Sequence, residues 1–233
     1  MDAEMLWAVR ICGLAAIVGA ILYSIGDTLL LAEKFDPEAH PRLQPHLKLL
    51  SGMERMAGLP WGRMAQGGLL GVFAAPLLLA GNWQVYTGLA PAGLAAALPP
   101  AILLVWSGVV GAFGHGSFIY MGEYVQALDQ VDNGSQPVLL GMYSRLRKLM
   151  VPTFAFLMGA NIIASLWYTV LVAMGETAFP RWMAAVNPLT AFLAWVVIKK
   201  VLPRRVVAAT EGAGFNIAYL IFYLFTTITL WKG

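Results

Sequence analysis

LWAVRICGLAAIVGAILYSIGDTLLL, residues 6–31, decides the fold. A bilayer-crossing helix needs about 20 mostly apolar residues. This run exceeds that length and holds a single acid, Asp27, about one turn before its end. The preceding MDAEM is acidic rather than rich in Lys and Arg, and no small-residue cleavage site interrupts the run. It therefore reads as a retained span, not a secretory signal.

Five further stretches have the same character: 64–86, 98–122, 150–174, 181–201 and 208–231. The chain has 233 residues, of which 59% are hydrophobic and 12% charged, with a mean hydropathy of +0.71. Soluble domains carry about 25% charged residues. The expectation is an all-α polytopic membrane protein, one domain of six transmembrane helices over 1–233. The segment 87–97, rich in Gly, Pro and Ala, is too short to cross and connects the second span to the third.

Charge placement orients the bundle. With six spans, loops 32–63, 123–149 and 199–207 share one side and hold twelve of the fifteen basic residues. The positive-inside rule makes that side cytoplasmic and both termini non-cytoplasmic, as in a bacterial inner (plasma) membrane. Trp7, Trp83, Trp182 and Trp231 fall at the outer span ends, where amphipathic indoles favour the interface. Trp106, Trp167 and Trp195 lie inside spans and read as packing residues. The net charge of +3 is a topology signal and excludes a nucleic-acid role.

Two loops have patterns of their own. In 32–63, HLKLLSGMERMAG places Leu47, Leu50 and Met53 or Met56 at helical spacing against Lys48, Ser51, Glu54 and Arg55. It predicts a short amphipathic helix on the inner leaflet. In 123–149, Asn133-Gly134 followed by Ser135 and Pro137 predicts a helical hairpin that prolongs the third and fourth spans.

Ionisable groups inside lipid cost about 2.5–3.5 kcal/mol on insertion scales and usually face an interior or a wet cavity. Asp27 is the first candidate, with the Tyr23 and Ser24 hydroxyls on its helix face. In GHGSFIYMGEY, residues 114–124, His115 continues a Ser107, Gly111, His115 spacing beside Gly108, Ala112 and Gly116, a small-residue seam. Asp27 and His115 are the pair expected to move protons if the protein is an enzyme. Tyr120 and Glu123 follow near the exit of that span. Asn161, Ser165 and Thr169 form one polar stripe, and Asn216, Tyr219, Tyr223 and Thr226 another. Asn187 before Pro188 marks a kink in the fifth span. Arg55 and Arg63 stand near the chamber mouth, suited to Asp27 or a phosphate.

Cys12 is the single cysteine, and His40, His46 and His115 are the only histidines, so no metal or cofactor is expected. No nucleophile elbow, zinc-protease or phosphate-loop motif occurs. A last span without lysine before Lys232 excludes a retinal Schiff base.

YSIGD, Tyr23 to Asp27, resembles the Ser and Gly-Asp piece of membrane lysoplasmalogenases. The resemblance implies cleavage of vinyl-ether lysolipids with intramembrane aspartates. It covers those five residues, and no second intramembrane Asp accompanies it.

The reading is a cytoplasm-side polar chamber formed by Tyr23, Ser24, Asp27, Arg55, Arg63, His115, Tyr120, Glu123, Asn161 and Asn216. It would bind a small amphiphile or lipid headgroup, with membrane lipids as partners, and transport it. A lipid hydrolase using Asp27 and His115 and a structural subunit of a membrane complex are the alternatives.

Overall fold

A computed structural model describes residues 3–232. Five helices are long and apolar enough to cross a bilayer: α1 (Ala3–Leu31), α3 (Trp61–Leu89), α4 (Leu94–Gln130), α5 (Gln136–Met174) and α8 (Gly214–Lys232). Between them lie a one-turn α2 (Leu47–Leu50), an apolar α6 (Pro188–Ile198) and a short α7 (Arg204–Ala209). No strand occurs among the described residues. The protein is an all-α membrane protein.

The neighbours close a ring. α1 packs on α3, α3 on α4 and α4 on α5, while α8 packs on both α1 and α6, and α6 returns to α5. On α1, Gly13, Ala16, Ala20, Tyr23, Asp27 and Leu30 point inward, whereas Ile11, Leu14, Val18, Ile21 and Ile25 are exposed. Both sets recur every three or four residues, so one face of mostly small side chains with Asp27 meets the bundle and the large aliphatic side chains face outward.

The tightest crossing is α1 on α3. A Cβ on Gly26 would lie 2.7 Å from the Gly67 carbonyl, and one on Gly67 would lie 3.0 Å from the Gly26 carbonyl. Only glycine lets two backbones meet at that distance. The expected seam on α4 is looser: Cβ atoms on Gly108 and Gly116 would meet Leu79 and Val72 at 3.3 and 3.4 Å.

Several expectations are corrected. The connection between α3 and α4 is a three-residue 3₁₀ turn, Ala90–Ala92, because both helices extend past the predicted span ends. The stretch 181–201 is not one helix. It holds a 3₁₀ turn, Arg181–Ala185, then α6 of 11 residues, roughly 16 Å long. Asn187 is not at a kink but caps α6: its side chain accepts from the Thr190 N–H at 3.0 Å, and the Thr190 hydroxyl accepts from the Asn187 N–H at 3.2 Å. Trp106 and Trp167 are exposed, so they face the surroundings instead of packing inside.

α4 and α5, with 37 and 39 residues, run roughly 55–60 Å, well beyond a 30 Å hydrocarbon core. They form the expected hairpin, turning between Gln130 and Gln136. The loop 32–60 folds onto this extension. It is no continuous amphipathic helix, since Ser51 (φ 55°) and Gly52 (φ 98°) adopt left-handed conformations between α2 and a 3₁₀ turn, Met53–Met56. Its Leu43 and Leu50 join Met121, Val125, Leu128, Tyr143 and Met150 in a cluster, so the apolar face meets protein. Tyr143 donates to the Leu50 carbonyl at 3.0 Å, and Gln126 donates to the carbonyls of Met56 and Leu59 at 3.0 and 2.7 Å. His40 Nδ1 lies 2.7 Å from Asp129 Oδ2. Arg42 donates to the Val131 carbonyl at 2.8 Å, closing the exposed end of α4.

Gly26→Val is expected to destabilise the bundle by about 1–3 kcal/mol through overpacking at the α1–α3 crossing. Gly141→Ala, where an added methyl meets open space within α5, should instead stabilise slightly, by about 0.4–1 kcal/mol. Thermal unfolding of the two purified variants in one detergent measures the contrast.

Candidate functional site: a buried carboxylate–imidazole pair

Helical spacing of four carries Tyr23 and Asp27 on one face of α1 into the interior. α4 presents His115 to the same point. The imidazole fits because Gly71 on α3 has no Cβ; one there would overlap the ring. His115 Nε2 lies 3.3 Å from Asp27 Oδ1. From α8, Asn216 Nδ2 donates to Asp27 Oδ2 at 2.5 Å. Each carboxylate oxygen thus has its own polar neighbour, as a carboxyl group removed from water requires. The His115–Asp27 separation is an ion-pair contact when the imidazole is protonated, and a neutral imidazole offers one donor and one acceptor nitrogen.

Tyr23 sets its ring edge-on against the imidazole, centroids 4.5 Å apart and planes at 82°. Its hydroxyl has no protein partner, nor does His115 Nδ1. Beside Tyr23 lies a cavity of about 40 Å³, lined also by Asn82, Ser107, Asn216, Tyr219 and Tyr223. It is large enough for ordered water, which needs at least roughly 10–15 Å³ and two or more polar partners.

A polar seam continues from the cavity. Tyr219 donates to Asn161 Oδ1, and Asn161 Nδ2 donates to Ser107 and to the Leu157 carbonyl, the latter at 2.9 Å. Tyr223 donates to Asn82 Oδ1 at 2.6 Å. Gln84 donates to Thr227 at 3.2 Å and accepts from Thr226 at 3.4 Å. Near the α1 N-terminus, Arg10 donates to the Trp231 carbonyl at 2.7 Å and lies over the Trp7 and Trp231 rings.

Of the residues expected at the chamber, Tyr23, Asp27, His115, Asn161 and Asn216 are buried around this interior. Five others lie elsewhere. Ser24 donates to the Ala20 carbonyl at 2.9 Å, one turn back, and not to Asp27. Tyr120 and Glu123 are exposed, because the face that carries His115 inward turns them outward. Arg55 and Arg63 serve the end of α1: they donate to the carbonyls of Leu31 (3.3 Å) and Leu29 (2.9 Å), and Arg63 pairs with Glu33 at 2.7 Å. Those carbonyls have no partner within the helix, which explains the arginines there.

Ser165 and Thr169 hold the start of α6. Ser165 accepts from the Leu189 N–H at 3.3 Å, and Thr169 accepts from Asn187 at 3.0 Å. Sequence reasoning missed Asn82 and Gln84. Their signal was two amides two residues apart in an otherwise apolar run. Among the described residues no group of three His, Cys, Asp or Glu is placed to hold a metal ion.

Fold and site together define a class: polytopic α-helical membrane proteins with a carboxylate and an imidazole 3.3 Å apart inside the bundle. Over residues 1–233 the chain matches DUF6796, a family of unknown function, and it belongs to that family. No curated protein and no solved structure matches it.

Asn216→Ala should destabilise the protein by about 1–3 kcal/mol, since one Asp27 oxygen loses its donor. In the Asp27→Asn background the same change should cost less, with a coupling of about 0.5–3 kcal/mol in a double-mutant cycle of detergent-solubilised protein. Additive effects would mean that the Asn216–Asp27 contact carries no energy.

Proposed function

We propose that the protein binds the headgroup of a small amphiphile in a polar chamber inside a six-crossing bundle and moves it across the membrane, with Asp27 and His115 as the proton-handling pair. One observation carries this reading. A carboxyl group and an imidazole sit 3.3 Å apart inside the bundle, and their neighbours Asn216 and Tyr23, the latter with an unpartnered hydroxyl, line a small cavity. Intramembrane ionisable groups are expensive, and they cluster where a substrate, an ion or a proton is handled.

Six crossings are supported by the course of the chain around α6. Before it, the Ala178 N–H donates to the Gly88 carbonyl at 2.8 Å, at the C-terminal end of α3. After it, Glu211 lies 4.0 Å from Arg55, which binds the C-terminal end of α1. α1 and α3 are consecutive long helices and run in opposite senses, so those two ends belong to opposite ends of the bundle. The 3₁₀ turn, α6 and the turn after it then act as one broken crossing. The basic residues of loops 32–63, 123–149 and 199–207 gather at the end marked by Arg55, which the positive-inside rule makes cytoplasmic, with both termini outside. A bacterial plasma membrane is the proposed location, and its lipids are the proposed partners.

The test uses wild-type protein in proteoliposomes with a fluorescent lysophospholipid in the outer leaflet and an imposed pH gradient. Inward movement accelerated by the gradient is the expected result, and Asp27→Asn should remove the acceleration. Gradient-driven movement that survives this substitution excludes Asp27 as the proton carrier; no movement in wild type sinks the transport reading.

A hydrolase is the second reading, favoured by the same 3.3 Å contact. His115 would take a proton from water, the water oxygen would bond to the acyl carbon of an ester, and the imidazolium would return the proton to the departing alcohol. Free fatty acid released by wild type, and lost in both Asp27→Asn and His115→Ala with folding intact, would establish it. Wild-type protein inert toward ester- and vinyl-ether-linked lysolipids would eliminate it.

A further inference from the structure

A second concavity adjoins the chamber from the basic end of the bundle. α5, α6, α7 and the start of α8 enclose a cleft of about 310 Å³ with Met158, Phe192, Trp195, Lys199 and Phe215 among its walls. That volume lies at the lower end of the roughly 300–1,000 Å³ typical of ligand sites, room for one acyl chain rather than two. Its floor is aromatic: Phe192 and Phe215 meet edge-on with centroids 5.6 Å apart, and Gly214 lets the Trp195 indole lie against the α8 backbone. Phe215 also packs edge-on against Tyr219 at 5.5 Å and borders the inner cavity, so one ring separates cleft from chamber.

The mouth is cationic. Lys199 lines it, Lys200 follows on the exposed turn after α6, and Arg204 and Arg205 open α7, both exposed. None of the four has an ion-pair partner within 4.0 Å among the described residues. The acid at the cleft, Glu211, already faces Arg55. The Trp195 N–H has no acceptor among the described residues, which leaves one donor for an oxygen-rich ligand.

We propose that this cleft binds a single-chain anionic phospholipid, with its phosphate at Lys199 and the basic turn and its acyl chain on Phe192, Trp195 and Phe215. Unpaired cations at a membrane-proximal turn attract anionic headgroups, and an aromatic cleft of about 310 Å³ has no room for a second chain. The cleft is then the vestibule of the chamber. That role rests on the transport reading, whereas lipid binding in the cleft is measurable without any flux.

The experiment titrates full-length detergent-purified protein with lysophosphatidylglycerol brominated on its acyl chain, and in parallel with brominated lysophosphatidylcholine. Bromine quenches tryptophan on contact, and the signal is the difference between wild type and Trp195→Phe. Quenching by the anionic lipid is expected at concentrations where the zwitterionic lipid gives little. Lys199→Gln should weaken it about fivefold, and the further replacement of Lys200, Arg204 and Arg205 by Gln should weaken it by a similar factor each.

Equal quenching by both lipids, or by the anionic lipid in the fourfold variant, overturns the proposal. So does quenching unchanged by Trp195→Phe, or complete displacement by millimolar inorganic phosphate, which would mark a free-anion site. Asp27→Asn should quench like wild type while losing gradient-driven flux, so failure of the vestibule and failure of the chamber give different results.

Discussion

The structure depends on one carboxyl group that must not stand alone in lipid. Asp27 projects into the bundle from α1, and its two oxygens meet an imidazole from α4 and an amide from α8. Removing one partner of such a group is costly because the other is left desolvated and uncompensated. The requirement sets the register of three helices that are far apart along the chain. Sliding α8 by a single turn, about 5.4 Å, would carry Asn216 out of reach of Asp27. Gly71 belongs to the same constraint, since the imidazole occupies the space its missing side chain leaves.

Around that point the bundle is organised by packing and hydrogen bonds instead of hydrophobic exclusion. Lipid tails are as apolar as leucine, so association between spans relies on close van der Waals fit and interhelical polar contacts. Both are present. Gly26 and Gly67 bring α1 and α3 together, and the pairs Tyr223–Asn82, Tyr219–Asn161 and Gln84–Thr227 tie α8 to α3 and α5. Meanwhile Ile11, Leu14, Val18, Ile21 and Ile25 cover the outside of α1. The aromatic cleft beside α8 breaks this pattern, because there apolar rings face a void capped by unpaired cations.

The same physics explains where sequence reading went astray. Apolar residues at helical spacing in 32–63 suit a leaflet or a protein surface equally well, and periodicity does not tell which neighbour they find. Leu43 and Leu50 found the prolonged hairpin of α4 and α5. Arg55 and Arg63 were placed near Asp27 by location along the chain, but the nearer demand was the open carbonyls at the end of α1. Ser24 shares its turn with Asp27 yet bonds its own helix, a short-range contact that costs little chain entropy.

Composition and helical period alone were enough to read a helical membrane protein and to turn Asp27, His115, Asn161 and Asn216 inward. Transfer cost and helical period are local properties, readable within one turn or one span. That Asp27 meets His115 and Asn216, and that Tyr120 and Glu123 stay outside, emerges from the packed bundle. The tertiary structure also divided the stretch 181–201 into a turn and a capped helix. Those outcomes depend on rotation and depth of each helix against its neighbours, and those are set by glycines and amides on other spans. No single span carries that information.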